Sequence, residues 1–265
     1  MYPSNGFSRQ GWAILAEAED ALLLSGLRSR QVQVLGHRGA PAPAIPENSV
    51  AAVTRALHQG ADGVEVDVWL AENGALLCAH DLAVADRSAL ATLADLLTAA
   101  QRPVGSQVVV EAKLVADAAV AVRTAHALAD VLGTAGGTAD VTVSSFDPGL
   151  LAMIRTTCAD LPVRTALLGD SAAPAAAVVR RAHADGHDEV HLPLVALRRT
   201  PQVVETARWL GLGVAAWTVN RRRDLRWVAE LGVDAVITDD VPGARLELNR
   251  APVRERAGAG AVAAA

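Results

Sequence analysis

The sequence is poor in several residue types, and each shortage excludes a class of protein. Aromatic residues make up only 3% of the 265 residues, so any core must be built from aliphatic side chains. The two cysteines, Cys78 and Cys158, lie far apart, each within an apolar run. This placement predicts two reduced, buried thiols and argues against a disulfide-stabilised scaffold or a cysteine metal site.

Long basic blocks and long hydrophobic runs are also lacking. The formal net charge is -5, which argues against nucleic acid as the main partner. No apolar run reaches the length that crosses a membrane. The first 30 residues do not have the basic start and hydrophobic segment of a signal peptide. We therefore expect a cytoplasmic protein without an integral membrane segment that acts on a small molecule, and we leave a homo-oligomer open.

Hydrophobic residues, by contrast, account for 51% of the sequence, which is enough for a sizeable core. Short β-branched runs alternate with Ala- and Leu-rich stretches of helical periodicity. The pattern predicts eight strands, at residues 32–35, 64–68, 108–112, 141–144, 163–168, 189–192, 214–218 and 235–238. It predicts helices between and after them, at residues 47–59, 92–100, 117–132, 148–158, 174–184, 201–210, 222–231 and 242–248.

Eight strand–helix units in a chain of this length predict an α/β fold, a single-domain (β/α)8 TIM barrel. The strands are nearly continuous apolar runs, as expected when both faces of a sheet are covered. A doubly wound sheet is the alternative, but the eighth strand and the lack of a Gly-x-Gly-x-x-Gly loop count against it. The turn signal Asn73-Gly74 predicts a hairpin after the second strand, with residues 75–79 as its return.

The ends of the chain differ from this repeating middle. Residues 1–30 are predicted to be an N-terminal helical extension, because residues 12–29 have an amphipathic pattern. Residues 31–250 are predicted to form the barrel. The low-complexity segment 251–265 is predicted to be a disordered tail.

Carboxylates collect at the carboxyl ends of the predicted strands, where barrel enzymes place their active sites. Glu65 and Asp67 are two positions apart on one strand, so both point to the same face. Glu111 adds a third carboxylate from the next strand. Close carboxylates are costly unless a cation lies between them. Three oxygen ligands with open positions suit Mg²⁺ or Ca²⁺, so these residues are the predicted ligands of a divalent cation.

Two histidines flank this acidic group in the sequence. His37 follows the first strand and His80 follows the predicted hairpin, and together they suit a general base and a general acid acting on a phosphodiester. Arg38 offers a planar donor for phosphate, and Lys113 points to the same face as Glu111. A phosphodiesterase site is the interpretation that these residues favour.

Other strand ends carry less informative residues. Trp217 lies at the end of the seventh strand and Asn220 follows it, and Trp217 is interpreted either as core packing or as a wall for the substrate alcohol. The Ser144-Ser145 pair has no adjacent base, so hydrogen bonding at the strand end is expected of it. His191 lies at a strand end, with no partner identified from the sequence.

In these motifs the chain resembles the glycerophosphodiester phosphodiesterase family, barrel enzymes related to phosphatidylinositol-specific phospholipase C. The resemblance covers roughly residues 32–245, in the order in which the family has its motifs. The matching motifs are His37-Arg38-Gly39, Pro46-Glu47-Asn48, Glu65-Val66-Asp67-Val68, His80-Asp81, Glu111-Ala112-Lys113, Ser145-Phe146, Trp217-Thr218-Val219-Asn220 and Thr238-Asp239.

The resemblance implies a divalent cation and hydrolysis of glycerophosphodiesters to glycerol 3-phosphate and an alcohol, a reaction of glycerol and lipid metabolism. It implies an acid–base pair, three metal ligands, substrate-binding side chains and two supporting residues. The acid–base pair is His37 and His80, and the metal ligands are Glu65, Asp67 and Glu111. The substrate-binding side chains are Arg38, Lys113, Trp217 and Asn220, and the supporting residues are Glu47 and Asn48. The glycerol 2-hydroxyl or water is the expected nucleophile, and the sequence leaves both open.

One departure from the family affects substrate choice. Many members carry a long insertion after the His-Asp motif, whereas only 30 residues separate His80 from Glu111 in this sequence. A shortened insertion predicts a more open site, which also makes lysophospholipid-like esters plausible. The alternatives are a phospholipase D-like lyase that forms a cyclic phosphate and a catalytically silent barrel that binds a phosphoester. The intact histidines and carboxylates argue against the silent barrel.

Overall fold

The computed structural model describes residues 31–81, 89–101, 105–113, 117–135 and 140–249. The predicted extension 1–30 and tail 251–265 lie outside these residues. The strands are β1 Gln33–His37, β2 Gly63–Leu70, β3 Leu76–Cys78, β4 Gln107–Ala112, β5 Asp140–Ser145, β6 Val163–Leu168, β7 Glu189–Pro193, β8 Gly213–Trp217 and β9 Ala235–Thr238. The helices are α1 Val50–His58, α2 Leu93–Ala100, α3 Ala118–Ala135, α4 Pro148–Thr157, α5 Ala175–Ala184, α6 Leu194–Arg199, α7 Val203–Trp209, α8 Arg222–Leu231 and α9 Val241–Leu248.

Eight of the strands are parallel and close into a barrel. The order is β1-β9-β8-β7-β6-β5-β4-β2, and β1 also pairs with β2, which joins the two edges. The β3 strand pairs antiparallel with β2 and completes a hairpin. The (β/α)8 barrel and the predicted hairpin are therefore confirmed.

Local sequence sets where the helices begin and end. Ser49 accepts a hydrogen bond from the Ala52 amide and caps α1, while Thr92 and Asp95 form a capping box at α2. Gly232 ends α8 in a left-handed conformation. The short helix α6 was not predicted, and it starts directly after Pro193 at the end of β7.

The core consists of two aliphatic layers. The larger one lies between the strands and the helices and includes Val66, Val110 and Leu192. A smaller apolar cluster lies inside the barrel and consists of Leu35, Val109, Ala215, Ala235 and Ile237, with Trp217 packed against it. Cys78 and Cys158 are buried and free, as predicted. Among the described helices, none is both long and apolar enough to cross a membrane.

Strand register then fixes which residues meet at the carboxyl ends. His37 of β1 is paired with Glu65 of β2, and Asp67 of β2 is paired with Glu111 of β4. Two positions before each of three residues at the carboxyl ends lies an apolar residue of the lumen. Leu35 precedes His37, Val109 precedes Glu111, and Ala215 precedes Trp217. Polar side chains therefore lie on an apolar floor within the barrel.

Candidate active site

Three carboxylates from two neighbouring strands converge at the carboxyl end of the barrel. Glu65 and Asp67 extend from β2 and Glu111 from β4, with one ligand oxygen of each within 4.8 Å of the others. Glu65 is 5% exposed and Asp67 is 1% exposed. The structure therefore brings together the three residues that the sequence suggested as metal ligands.

Burial and mutual repulsion perturb these carboxyl groups in different directions. Desolvation first, and the charge of Asp67 second, raise the pKa of Glu65 to about 8. Burial would also raise the pKa of Asp67, but hydrogen bonds from Lys113 and Asn48 and the charges of Lys113 and Arg38 lower it overall. The cluster therefore combines a lowered pKa at Asp67 with a raised pKa at Glu65, and added positive charge would favour the ionised form of Glu65.

The geometry of the three carboxylates fits a divalent cation. Ca²⁺ binds oxygen at roughly 2.3–2.6 Å, so two ligands on opposite sides of the ion lie about 4.6–5.2 Å apart. The three oxygens fall within this span. Mg²⁺ has the same preference for oxygen ligands but needs a slightly contracted cluster. Three protein ligands also leave coordination positions for substrate and water.

The loop after β1 is shaped by glycine at both ends of His37-Arg38. A Cβ on Gly36 would lie 2.4 Å from the Gly39 carbonyl oxygen, and Gly39 has a φ of +81°. Arg38 is itself left-handed, with a φ of 54°, a conformation that is uncommon for a residue with a side chain. In this conformation the Arg38 amide donates a hydrogen bond to Glu65 Oε2 at 3.1 Å.

The Arg38 guanidinium bridges two acidic side chains. Its Nη1 donates to Glu47 Oε2 at 2.9 Å, and its Nε lies 3.3 Å from Asp67 Oδ2. Burial alone would lower the pKa of Arg38, but the hydrogen bond to Glu47 and the charge of Asp67 raise it overall. Glu47, predicted as a supporting residue, thus orients the arginine at the edge of the cluster.

Asn48, the second predicted supporting residue, holds Asp67 in place. Its Nδ2 donates to Asp67 Oδ2 at 2.9 Å, and its Oδ1 accepts from the Asp67 amide at 2.9 Å. Asn48 is 2% exposed and left-handed, with a φ of 52°. A residue that bonds both the backbone and the carboxylate of Asp67 leaves that side chain little freedom to move.

His37 is oriented by a chain of hydrogen bonds from β9 and the loop after β8. Its Nδ1 lies 2.6 Å from Asp239 Oδ1. Asn220 Nδ2 donates to Asp239 Oδ2 at 2.6 Å, and Asn220 Oδ1 accepts from the Thr238 hydroxyl at 3.0 Å. Asn220, predicted to contact substrate, therefore binds the carboxylate that binds His37.

The two histidines differ in their proton affinity. Burial would lower the pKa of His37, but the hydrogen bond to Asp239 and the charges of Glu65 and Asp239 raise it overall. His80 is exposed and lies two residues after β3. Partial desolvation and the positive charges of Arg38 and Lys113 lower its pKa. At one pH near neutrality, these shifts favour an imidazolium at His37 and a neutral imidazole at His80.

Lys113 lies within the carboxylate cluster. Its Nζ is 2.5 Å from Asp67 Oδ1 and 2.7 Å from Glu111 Oε1. The predicted phosphate ligand is therefore paired with two of the three predicted metal ligands. Burial would raise the pKa of Glu111, and Lys113 opposes that effect without cancelling it.

The remaining strand-end residues contact their neighbours in the barrel. The Trp217 ring meets Phe146 edge to face, with ring centroids 6.0 Å apart. The Ser145 hydroxyl donates to the Ala112 carbonyl at 2.7 Å, which matches its predicted supporting role. His191 is fully buried, and its Nε2 lies 3.0 Å from Glu189 Oε2, away from the carboxylate cluster.

Asp239 is the residue of this site to which sequence reasoning gave no role. The signal was present, because Thr238-Asp239 ends the last strand and a closed barrel pairs that strand with β1. The register pairs Gly36 of β1 with Thr238 of β9, which puts the following residues, His37 and Asp239, side by side.

Comparison with known families and proteins gives a consistent result. The model of the glycerophosphoryl diester phosphodiesterase family matches residues 37–117 and 88–242. A Mycobacterium tuberculosis protein named probable glycerophosphodiester phosphodiesterase 1 is 33% identical over 241 residues. That alignment covers 76% of this chain and 86% of the relative.

Solved structures match the same fold. A glycerophosphodiester phosphodiesterase from Parabacteroides distasonis has a TM-score of 0.72 at 20% identity, over 83% of this chain and 98% of that one. An Oleispira antarctica phosphodiesterase in complex with the product sn-glycerol-3-phosphate has a TM-score of 0.71 at 20% identity, over 85% of this chain and 98% of that one.

Proposed function

This chain belongs to the glycerophosphoryl diester phosphodiesterase family and is an enzyme of that class, and we propose that it hydrolyses glycerophosphodiesters to glycerol 3-phosphate and an alcohol with the help of a divalent cation. The observation that carries the proposal is the convergence of three carboxylates with His37, held by Asp239, at one end of the barrel. The glycerol 3-phosphate bound to the Oleispira enzyme supports the product side of the reaction.

In this proposal Glu65, Asp67 and Glu111 hold the cation, which is Mg²⁺ or Ca²⁺. When bound, such an ion polarises the phosphoryl group and offsets the negative charge that develops on its oxygens. Arg38 and Lys113 hold phosphate oxygens with permanent positive charge and N–H donors. Trp217 forms a wall against which the substrate rests.

The histidines divide the proton transfers between them. His80, neutral near pH 7, accepts the proton of the attacking hydroxyl, which is the glycerol 2-hydroxyl or a water molecule. His37, whose pKa the hydrogen bond to Asp239 raises, donates a proton to the departing alcohol. This assignment follows the opposite pKa shifts of the two imidazoles.

An assay over a panel of glycerophosphodiesters with choline, ethanolamine, glycerol and inositol headgroups tests the proposal. We expect release of glycerol 3-phosphate that stops in excess chelator and resumes when Ca²⁺ or Mg²⁺ is added. We expect His37→Ala and Glu65→Ala to abolish hydrolysis without loss of the folded circular dichroism spectrum. Hydrolysis that persists in chelator, or in either variant, would refute the proposal.

Phosphorus NMR of the reaction mixture distinguishes the routes and the alternatives. A transient cyclic phosphate that opens to glycerol 3-phosphate indicates attack by the glycerol hydroxyl, and its absence indicates attack by water. A cyclic phosphate that accumulates from lysophospholipids would assign a lyase instead. Binding of the diesters without turnover would indicate a silent barrel.

A further inference from the structure

Lys113 is the only lysine in the chain, since the other 23 of its 24 basic residues are arginines. It occurs in the carboxylate cluster, where its ammonium contacts both Asp67 and Glu111. Every other basic residue of the chain is therefore an arginine, and the lysine at this position calls for a physical reason particular to the site.

The reason lies in the size and shape of the two cations. An ammonium is a compact charge with three donors on a flexible stem, whereas a guanidinium is a broad planar fork. The Lys113 nitrogen lies 2.5 and 2.7 Å from its two carboxylate oxygens. Ca²⁺ binds oxygen at roughly 2.3–2.6 Å. The lysine ammonium therefore meets these oxygens at nearly the distance at which a metal ion would.

From these contacts we infer that Lys113 and the divalent cation are alternative occupants of the Asp67 and Glu111 oxygens. Without the ion, the ammonium neutralises the two carboxylates and keeps them together. When the ion binds, the ammonium leaves them. The further step, in which the released ammonium turns to the phosphate of the substrate, rests on the proposed function.

Lys113 is the partner that moves, because Asp67 is fixed. Asn48 bonds both the Asp67 amide and its Oδ2, and Arg38 Nε lies 3.3 Å from the same oxygen. Lys113 follows the last residue of β4, and its four-carbon side chain remains 11% exposed. The exchange thus needs only a rotamer change in one long side chain at the mouth of the barrel.

The single lysine makes the exchange directly observable. Selective labelling with ¹³Cε-lysine gives one side-chain resonance from the full chain, without assignment by mutagenesis. We expect this resonance to move when Ca²⁺ or Mg²⁺ is added, with a midpoint equal to the Kd from calorimetry. Saturable cation binding that leaves the lysine resonance unchanged would overturn the inference.

A matched pair of variants tests the competition energetically. Lys113→Met removes the ammonium and keeps a side chain of similar length, so we expect the cation to bind about tenfold more tightly, or about 1.4 kcal/mol. Arg180→Met removes an exposed cation on α5 and should leave the Kd unchanged. Equal or weaker cation binding by Lys113→Met would refute the competition.

The outcomes for this inference and for the proposed function can be told apart. Lysine displacement by the cation in a protein that hydrolyses none of the diesters would refute the proposed function and leave the exchange standing. Cation-dependent hydrolysis with a static lysine resonance would refute the exchange and leave the proposed function standing.

Discussion

The contact between His37 and Asp239 can be tested by a substitution that keeps the shape of the side chain. Asp239→Asn replaces the carboxylate 2.6 Å from His37 Nδ1 with a neutral amide. The imidazolium form of His37 then loses its nearest counter-charge. We expect the variant to fold normally, because Asp239 is 52% exposed and its backbone bonds are unaffected.

The expected fall in kcat follows from the effect of the Asp239 carboxylate on His37 as a general acid. A positioned acid or base contributes roughly 10²–10⁴-fold to a rate. Asp239 supplies part of that factor by orienting the ring and stabilising its charge. Solvent screens a half-exposed carboxylate, so we expect kcat to fall by only part of that factor, roughly 10- to 100-fold, with KM little changed.

The pH profile gives a second, sharper readout. In the wild type the pKa of His37 is raised, so the acid stays protonated above the ordinary range of histidine. Removing Asp239 lowers that pKa, and the alkaline limb of kcat/KM against pH should move to lower pH. Initial rates of glycerol 3-phosphate release over a pH series measure both quantities.

Asp170→Asn is the matched control, since Asp170 is also an exposed carboxylate in a loop after a strand and its Oδ1 accepts from the Ala172 and Ala173 amides. It should leave both kcat and the alkaline limb unchanged. An Asp239→Asn enzyme with wild-type kcat and an unchanged alkaline limb of kcat/KM would refute the role of Asp239 in holding His37. A shift of the acidic limb instead would reverse the assignment of acid and base.

Three further predictions concern other residues of the site. His80→Ala should lower kcat by roughly 10²–10⁴-fold and remove the acidic limb of the profile; an intact limb would contradict it as the base. Metal-free protein should lose stability as pH rises from about 4.5 to about 8, because the raised pKa of Glu65 lets the native state hold a proton that the unfolded state releases. Glu65→Gln should flatten that slope in thermal unfolding with chelator, and an unchanged slope would refute this origin. Asn48→Ala should lower the free energy of unfolding by about 1–3 kcal/mol in urea titrations, because Asp67 loses two hydrogen bonds; a smaller loss would contradict its supporting role.

Most of the fold could be predicted from the sequence because buried parallel strands are recognisable as apolar runs. Strands β6 and β9 match the prediction to the residue. The first helix begins at Val50 rather than residue 47, because Asn48 is left-handed and Ser49 is the cap. Helix α6 was missed because six residues are too few to show helical periodicity.

The members of the site were more predictable than their contacts. Strand ends and the two-residue spacing of Glu65 and Asp67 predicted which residues meet. The sequence could not show that Asn220 turns to Asp239, because residue spacing does not determine the direction of a side chain in a loop. Lys113 was expected to face phosphate, and its pairing with Asp67 and Glu111 depends on distances that only the folded backbone sets.

The aliphatic floor beneath the carboxylates has a kinetic consequence. An apolar cluster inside the barrel consists of Leu35, Val109, Ala215, Ala235 and Ile237. In the proposed function, substrate and both products would therefore enter and leave through the one opening at the carboxyl end of the barrel. In the proposed function glycerol 3-phosphate and the diester would occupy the same site, so we expect inhibition by glycerol 3-phosphate to be competitive with the diester in initial-rate assays.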